Sequence, residues 1–172
     1  MPQFREMIGS FQEWGELGRA GTLVGAYWLI VESPQNWEVD RGNDFGSFGV
    51  HERYKKAIGE MSTGDLLVTY VTKVSAFADV REIASVGAKP ISGDGAYDRK
   101  FDLEVATRPL TVLSPDSWVR ASSLHDQLEI TRGKRRPGLV FMTSVRRLPD
   151  EDGARIVEAI ERAVANEQKS GE

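Results

Sequence analysis

The chain has 172 residues, of which 40% are hydrophobic, and this size and composition fit one compact domain with its own core. Its formal net charge of −4 argues against a protein that coats nucleic acid through general basicity, although a local basic face is compatible with that total. The absence of cysteine excludes disulfides, thiolate nucleophiles and thiolate metal sites, and it suits a reducing cytoplasm, where we expect the protein to reside.

The first 25 residues are predicted to form an extension that precedes the main domain. Apolar residues recur at helical spacing over residues 3–17, which predicts a short amphipathic helix that packs on the domain rather than on a membrane. The longest apolar run, 26–31, is far shorter than the roughly 20 residues that span a bilayer. We therefore expect no membrane partner.

Strands are expected to dominate the middle of the chain. The runs 26–31 and 66–72 are apolar and β-rich, which is typical of buried strands. Residues 101–105 alternate apolar with acidic side chains, the pattern of a strand with one face in water. Further strands are predicted over 76–87, 110–113 and 139–142.

Helices and loops complete the expected main domain, residues 26–166. A helix is predicted over 51–58 and another over 150–166, followed by a polar tail, 167–172. The stretch 34–49, rich in glycine and asparagine, is interpreted as an ordered loop of a length that usually serves a site. Five or six short strands flanked by helices predict an α+β fold with a partly closed β-barrel.

Motifs for catalysis are missing from the sequence. The two histidines, His51 and His125, are far apart, and no paired-histidine, nucleophile-elbow or phosphate-loop motif is present. We therefore expect no catalytic residue, no metal site and no cofactor, and hence a protein that is not an enzyme. Carboxylates such as Asp40 and Asp65 leave open the alternative of an enzyme that acts on a nucleobase.

Aromatic side chains gather around the expected glycine-rich loop. Trp28 lies on the first strand, Trp37 and Phe48 follow it, and Tyr70 lies on the next strong strand. Such rings can wall a flat slot in which a planar base stacks, a contact that contributes about 1–3 kcal/mol per base. The same rings can equally fill a core, and for Trp28 the two interpretations are balanced.

Positive charge concentrates near the C-terminal part of the chain. Residues 120–147 carry seven arginines and lysines against two acidic residues, whereas the whole chain is net negative. The run 132–136 precedes an expected strand and can reach outward. We expect Arg135 and Arg136 to contact phosphates, although such runs are also common on ordinary solvated surfaces.

The order of several short motifs resembles that of the EVE-domain family, a branch of the PUA-like superfamily that also contains YTH domains. The motifs are the strand 27–34 followed by Asn36-Trp37, the unit Phe48-Gly49-Val50, the turn Gly64-Asp65 before a strand that ends in Tyr70, and a C-terminal strand followed by Arg147-Leu148-Pro149. The resemblance covers residues 26–165. It implies a PUA-like barrel that recognises a modified base, with 5-methylcytosine-type bases in DNA or modified RNA bases as ligands.

One departure from the family pattern concerns the pocket. Phe48 stands where the family usually has tryptophan, which implies a wider or differently selective pocket. Our hypothesis is that a base enters a cleft beside the first strand, where Trp37 and Phe48 stack on it with Trp28 and Tyr70 behind them. Its edge would be hydrogen-bonded by polar groups after this strand. These groups belong to Ser33, Asn36, Gly49 and Val50.

Two non-enzymatic alternatives remain at this stage. A small-molecule or metabolite binder would use the same pocket without nucleic acid, and an interaction module would have its pocket filled by its own side chains. The first predicts that charge reversal at Arg135 and Arg136 leaves ligand affinity intact.

Overall fold

The computed structural model describes residues 25–91 and 101–171. The amphipathic helix expected over residues 3–17 lies outside these ranges. Seven strands are present: β1 (Tyr27–Glu32), β2 (Ser47–Val50), β3 (Leu66–Val71), β4 (Ala76–Pro90), β5 (Leu103–Val112), β6 (Val119–Arg120) and β7 (Val145–Leu148). The α-helices are α1 (Pro34–Gly42), α2 (Lys55–Gly59) and α3 (Asp150–Ser170). Single 3-10 turns occupy Glu52–Tyr54, Pro115–Ser117, Ala121–Leu124 and Pro137–Phe141.

All seven strands belong to one sheet. Six of them follow the order β2-β5-β4-β3-β1-β7, and β6 pairs with β4. β1 and β3 are parallel, whereas the other pairs are antiparallel. The sheet curls into a half-barrel with helices beside it, which confirms the α+β, PUA-like, partly closed barrel expected from the sequence.

The alternation of β1 places its side chains in two different hydrophobic clusters. Leu29 packs with Val68 and Phe77, and α3 covers this outer cluster with Ile156 and Ile160. The inner cluster lies on the other face of the sheet, and its members include Trp28, Ile30, Phe48, Val50, Ile58, Leu67 and Val145. Both faces of β1 are therefore buried, as its continuous apolar run predicted.

The strands expected over 101–105 and 110–113 are one strand, β5, and the C-terminal helix continues into the expected polar tail. Two further segments differ from the expectation drawn from the sequence. The stretch 34–49 is not a loop, because it contains α1 and most of β2. Ser33 caps α1 by accepting a hydrogen bond from the Asn36 backbone N–H (3.1 Å), and Pro34 occupies the first turn, where its missing N–H is tolerated. The strand expected over 139–142 is also wrong. Residues 139–141 belong to the 3-10 turn Pro137–Phe141, which ends before Met142, and the last strand is β7.

The C-terminal helix begins where the sequence predicts and extends to Ser170. Asp152 in its first turn accepts hydrogen bonds from the backbone N–H groups of Glu129 (2.7 Å) and Ile130 (3.0 Å), which fixes the preceding segment. None of the helices in the described part of the chain is long and apolar enough to cross a bilayer.

Candidate nucleic-acid interface

Trp28 lies inside the half-barrel. It is 1% exposed, and its indole N–H donates to Asp65 Oδ2 (2.9 Å). The same carboxylate accepts the backbone N–H groups of Ser62 (2.9 Å) and Ala26 (2.9 Å). Phe48 and Val50, each 2% exposed, belong to the same inner cluster. Trp28 and Phe48 are thus core residues in this structure.

Trp37 lies on α1 and belongs to a separate group, the Trp37 cluster, which it forms with Phe45, Val71 and Ala78. Its ring centroid is 5.4 Å from that of Phe45 and 4.9 Å from that of Trp118, which packs edge-on against it. The indole N–H donates to Asp79 Oδ2 at 2.7 Å. Trp37 is 1% exposed, so its two faces and its polar edge are already occupied.

Tyr70 lies on the opposite face of the sheet from Trp28. Its ring stacks on Phe141 at a centroid distance of 4.6 Å and meets Phe77 edge-on at 5.7 Å, within the outer cluster. The four aromatic residues that the sequence analysis grouped therefore lie in three different clusters. The strand alternation and α1 separate them, so the structure does not bring the four rings together around one hollow. A base-binding role for each of them stays a prediction.

The polar groups expected to hold the base edge have partners inside the fold. Ser33 Oγ accepts from the Asn36 backbone N–H as the cap of α1, and Asn36 itself is 3% exposed. Gly49 and Val50 pair with β5, and the Val50 carbonyl accepts the Asp102 N–H at 3.2 Å. A base-binding role for these four residues stays a prediction.

A layer of buried charge, which the sequence analysis missed, lies between β1, α1, β3 and β4. The Arg81 guanidinium, 0% exposed, contacts Asp79 Oδ1 (2.9 Å), Asp40 Oδ2 (2.5 Å) and Glu32 Oε2 (3.4 Å). A bulge at Ala78 offsets the pairing of β3 with β4 and sets Asp79 opposite Thr69, whose hydroxyl donates to it at 2.7 Å. The signal in the sequence was the group of three charges, Asp79, Arg81 and Glu82, within an otherwise apolar stretch of β4.

Three carboxylates surround this single guanidinium, so the layer cannot be electrically balanced with every acid ionised. Burial raises the pKa of the Glu32 carboxyl well above its usual range. Arg81 opposes that rise, whereas the charges of Asp40 and Asp79 and the hydrogen bond to Asp40 add to it. Asp40, 0% exposed, and Asp65, 4% exposed, are thus engaged in fixed buried contacts rather than presented at the surface.

Partly exposed rings occur at a different place, where β2 ends. His51, which precedes the turn Glu52–Tyr54, meets the Phe101 ring at a centroid distance of 5.0 Å. Its Nδ1 lies 3.8 Å from Asp102 Oδ2. The Tyr54 hydroxyl accepts the Ser144 backbone N–H at 3.4 Å. His51, Tyr54 and Phe101 keep part of their surface in water, which a ring must do if it is to stack on a ligand.

The Ser144 contact joins this region to the basic part of the chain. Arg135 and Arg136 are exposed, as are Arg132, Lys134 and Arg147. The Arg53 guanidinium lies over the Tyr54 ring at 5.0 Å. Among the described residues, none of these six cations takes part in an ion pair. The structure thus places partly exposed aromatic rings beside the Arg53 guanidinium and links them, through Ser144, to the segment that follows the basic run.

Comparison with solved structures shows the same fold in YTH domains. The structure described as the YTH domain-containing protein mmi1 and RNA complex has a TM-score of 0.62 at 9% identity, with 84% of this chain and 86% of that chain covered. The YTH domain of Zygosaccharomyces rouxii MRB1 protein in complex with N6-methyladenosine RNA has a TM-score of 0.60 at 14% identity, covering 80% and 87%. Protein Atu2648 from Agrobacterium tumefaciens has a TM-score of 0.53 at 17% identity, covering 80% and 92%.

At these identities the likeness establishes the fold alone. No curated protein matches the chain in sequence. The family described as the EVE domain matches residues 26–159, which is most of the chain. The resemblance noted from the sequence is confirmed, and this chain belongs to the EVE domain family.

Proposed function

We propose that this protein is a non-catalytic nucleic-acid-binding module that recognises a modified base. The observation that carries the proposal is the position of the partly exposed rings of His51, Tyr54 and Phe101 at the end of β2. The Arg53 guanidinium lies over the Tyr54 ring, and Ser144 links this ring to the segment that follows the basic run. Rings supply stacking surface and unpaired guanidinium groups supply phosphate contacts, which is the combination that single-strand and flipped-base readers use.

The fold supports a nucleic-acid partner. Of the three structures described above, two are complexes with RNA, and one of these holds N6-methyladenosine RNA. The chemical requirement is the same for 5-methylcytosine in DNA, because both modifications add a methyl group to a flat base. We therefore propose a methylated base, in RNA or in DNA, as the ligand.

The stacking role moves to new residues in this proposal. Trp37 and Phe48 are too deeply packed to accept a base without rearrangement, whereas His51 and Tyr54 flank one short turn at the surface. Ser144 connects this turn to β1, because its carbonyl accepts the Val31 N–H at 2.9 Å while its own N–H donates to Tyr54. A base held there would also lie near the end of β1, where Ser33 follows.

A non-catalytic role agrees with the positions of the acids. The two carboxylates named as candidates for nucleobase chemistry, Asp40 and Asp65, are committed to Arg81 and to Trp28 respectively. A general acid or base must reach the reacting proton within hydrogen-bonding distance. Both would have to leave buried partners before they could do so.

The test is fluorescence anisotropy with labelled oligonucleotides in matched pairs. RNA with and without N6-methyladenosine and DNA with and without 5-methylcytosine are titrated at low and physiological salt. We expect about tenfold tighter binding to one modified member, and we expect His51→Ala to reduce that affinity about tenfold by removing a stacking ring. His125→Ala, which changes the other histidine, is the matched control and should leave discrimination intact.

Equal binding to all four oligonucleotides, abolished by salt, would leave only a nonspecific phosphate contact and would contradict the proposal. A free methylated nucleoside that binds equally well to wild type and to Arg135→Glu/Arg136→Glu would instead support the small-molecule alternative.

A further inference from the structure

Two large apolar side chains project into solvent from the turn that follows the basic run. Leu139 is 60% exposed and Met142 is 73% exposed, although both flank residues that are partly or fully buried. Isolated exposed apolar residues are ordinary, whereas neighbouring exposed apolar residues rimmed by polar groups mark interaction sites.

The turn that carries them is firmly anchored. Phe141, 0% exposed, stacks on Tyr70 at 4.6 Å and meets Phe77 edge-on at 5.6 Å. The Arg146 guanidinium donates to the Val140 carbonyl at 3.1 Å. Because Phe141 is fixed inside, its neighbours on the turn are held outward and do not fold back onto the core.

Positive charge flanks this pair in the chain and indicates the chemistry of a partner. Arg135 and Arg136 precede the turn and Arg147 follows it, all three exposed and without an ion-pair partner in the described ranges. A partner must therefore present negative charge at the rim and an apolar, penetrable centre. A nucleic-acid duplex does so, since phosphates border stacked base pairs.

We propose that Leu139 and Met142 form a wedge that enters the base stack of a double-stranded nucleic acid and fills the space that a flipped base leaves. The inference rests on the proposed function, because the flipped base is the one recognised beside Tyr54. The distance is suitable: Met142 is two residues from Ser144, whose N–H contacts the Tyr54 hydroxyl, and two residues span at most about 7 Å.

A wedge of this kind implies that the protein binds double-stranded rather than single-stranded nucleic acid. A single strand already presents its bases, so it gains little from an apolar pair outside the base site. In a duplex, unstacking opposes extrusion of the base, and apolar side chains placed between base steps offset that cost. Wild type and wedge variants should therefore differ on duplex and agree on single strands.

The experiment compares Leu139→Ser/Met142→Ser with the control Val86→Ser/Val112→Ser, which changes two exposed apolar residues of β4 and β5. The probe is a duplex with 2-aminopurine beside the modified base, because this fluorophore brightens when it unstacks. We expect wild type and control to raise its emission severalfold. The wedge variant should lose that signal and bind duplex about tenfold more weakly, while its affinity for the modified single strand stays within twofold.

Equal losses on duplex and single strand, or no loss on either, would overturn the wedge while leaving base recognition intact. Failure of the proposed function gives a different result, in which wild type does not distinguish modified from unmodified oligonucleotides of either form. Two further measurements test whether these side chains bind a lipid membrane or a second copy of the chain instead. Wedge-dependent binding to phosphatidylserine vesicles, or a wild-type dimer in sedimentation that the wedge variant loses, would also overturn the proposal.

Discussion

The Trp37 indole N–H donates a 2.7 Å hydrogen bond to Asp79, and this bond connects α1 to the middle of β4. Asp79 also accepts from Thr69 and contacts Arg81, so one carboxylate ties a helix, two strands and the buried guanidinium together. A tryptophan that the sequence suggested as a stacking platform is, in the structure, a cross-link between elements of the barrel.

Trp37→Phe should destabilise the fold, because the Asp79 carboxylate loses a buried donor and the smaller ring leaves space. Trp118→Phe is the matched control, since the Trp118 indole nitrogen has no hydrogen-bond partner among the described residues and its loss removes packing alone. We expect Trp37→Phe to be more destabilising by about 1–3 kcal/mol, measured by urea unfolding. Equal effects would show that the hydrogen bond contributes little.

Arg81→Met should be strongly destabilising, because three buried acidic side chains lose their only cationic contact in the described structure. Removal of one partner from a buried ion pair typically costs about 3–5 kcal/mol. Arg108→Met removes an exposed arginine that pairs with Glu82, and it should change stability by less than about 1 kcal/mol. Similar denaturation midpoints for the two variants would contradict the importance of the buried layer.

The raised pKa of Glu32 predicts a specific pH dependence. The folded protein keeps the Glu32 proton at pH values where the unfolded chain has released it. The contribution of this group to the free energy of unfolding is therefore full below its pKa in the unfolded chain, and it is lost as the pH rises through its pKa in the folded protein. The Glu32→Gln side chain is neutral at every pH, so this variant should not show the decrease in stability that ionisation of Glu32 causes. Its stability relative to wild type should therefore increase from about pH 4.3 upward, and parallel curves of unfolding free energy against pH would contradict this.

Gly153 on α3 faces Tyr27 on β1 so closely that an added Cβ would overlap the tyrosine ring. Gly153→Ala should be destabilising even though alanine is the better helix former. At Gly59, the last residue of α2, nothing lies within 4 Å of an added Cβ, and Gly59→Ala should be neutral or stabilising by up to about 1 kcal/mol. Thermal unfolding of both variants tests whether the two substitutions change stability in opposite directions. A stabilised Gly153→Ala variant would show that α3 can move away from Tyr27.

Charge removal at Arg135 and Arg136 should act on the salt dependence of binding. If each contacts one phosphate, the double glutamine variant lowers the slope of log affinity against log salt by about 1.5. Arg155→Gln/Arg162→Gln on α3 is the charge-matched control and should leave the slope unchanged. An unchanged slope for the Arg135/Arg136 variant would place the phosphates elsewhere.

The sequence predicted the parts of the fold that depend on hydrophobic periodicity. β1 and β3 are continuous apolar runs, and α3 has a regular apolar stripe, so all three are found where expected. α1 was missed because it lacks such a hydrophobic periodicity. Its buried positions are Asn36, Trp37 and Asp40, two of them polar, and such a helix gives no apolar pattern.

The run 139–142 was predicted as a buried strand because it contains four consecutive apolar residues, but no strand forms there. Phe141 alone is fully buried there, and the strand forms at β7, where Val145 and Leu148 supply the buried positions. The packing of the aromatic residues in three separate clusters could not be predicted from the sequence either. Whether a tryptophan serves a pocket or a core depends on partners such as Asp65 and Asp79, which lie 37 and 42 residues away in the chain.

The pairing of β1 has a consequence for synthesis. One edge of β1 pairs with β3, whereas the other edge pairs with β7, which lies about 120 residues later in the chain. Until β7 emerges from the ribosome, a strongly apolar strand presents an open edge to other nascent chains. β1 therefore gains its second neighbour only when the last strand has been synthesised, and aggregation during translation should be sensitive to substitutions in that strand.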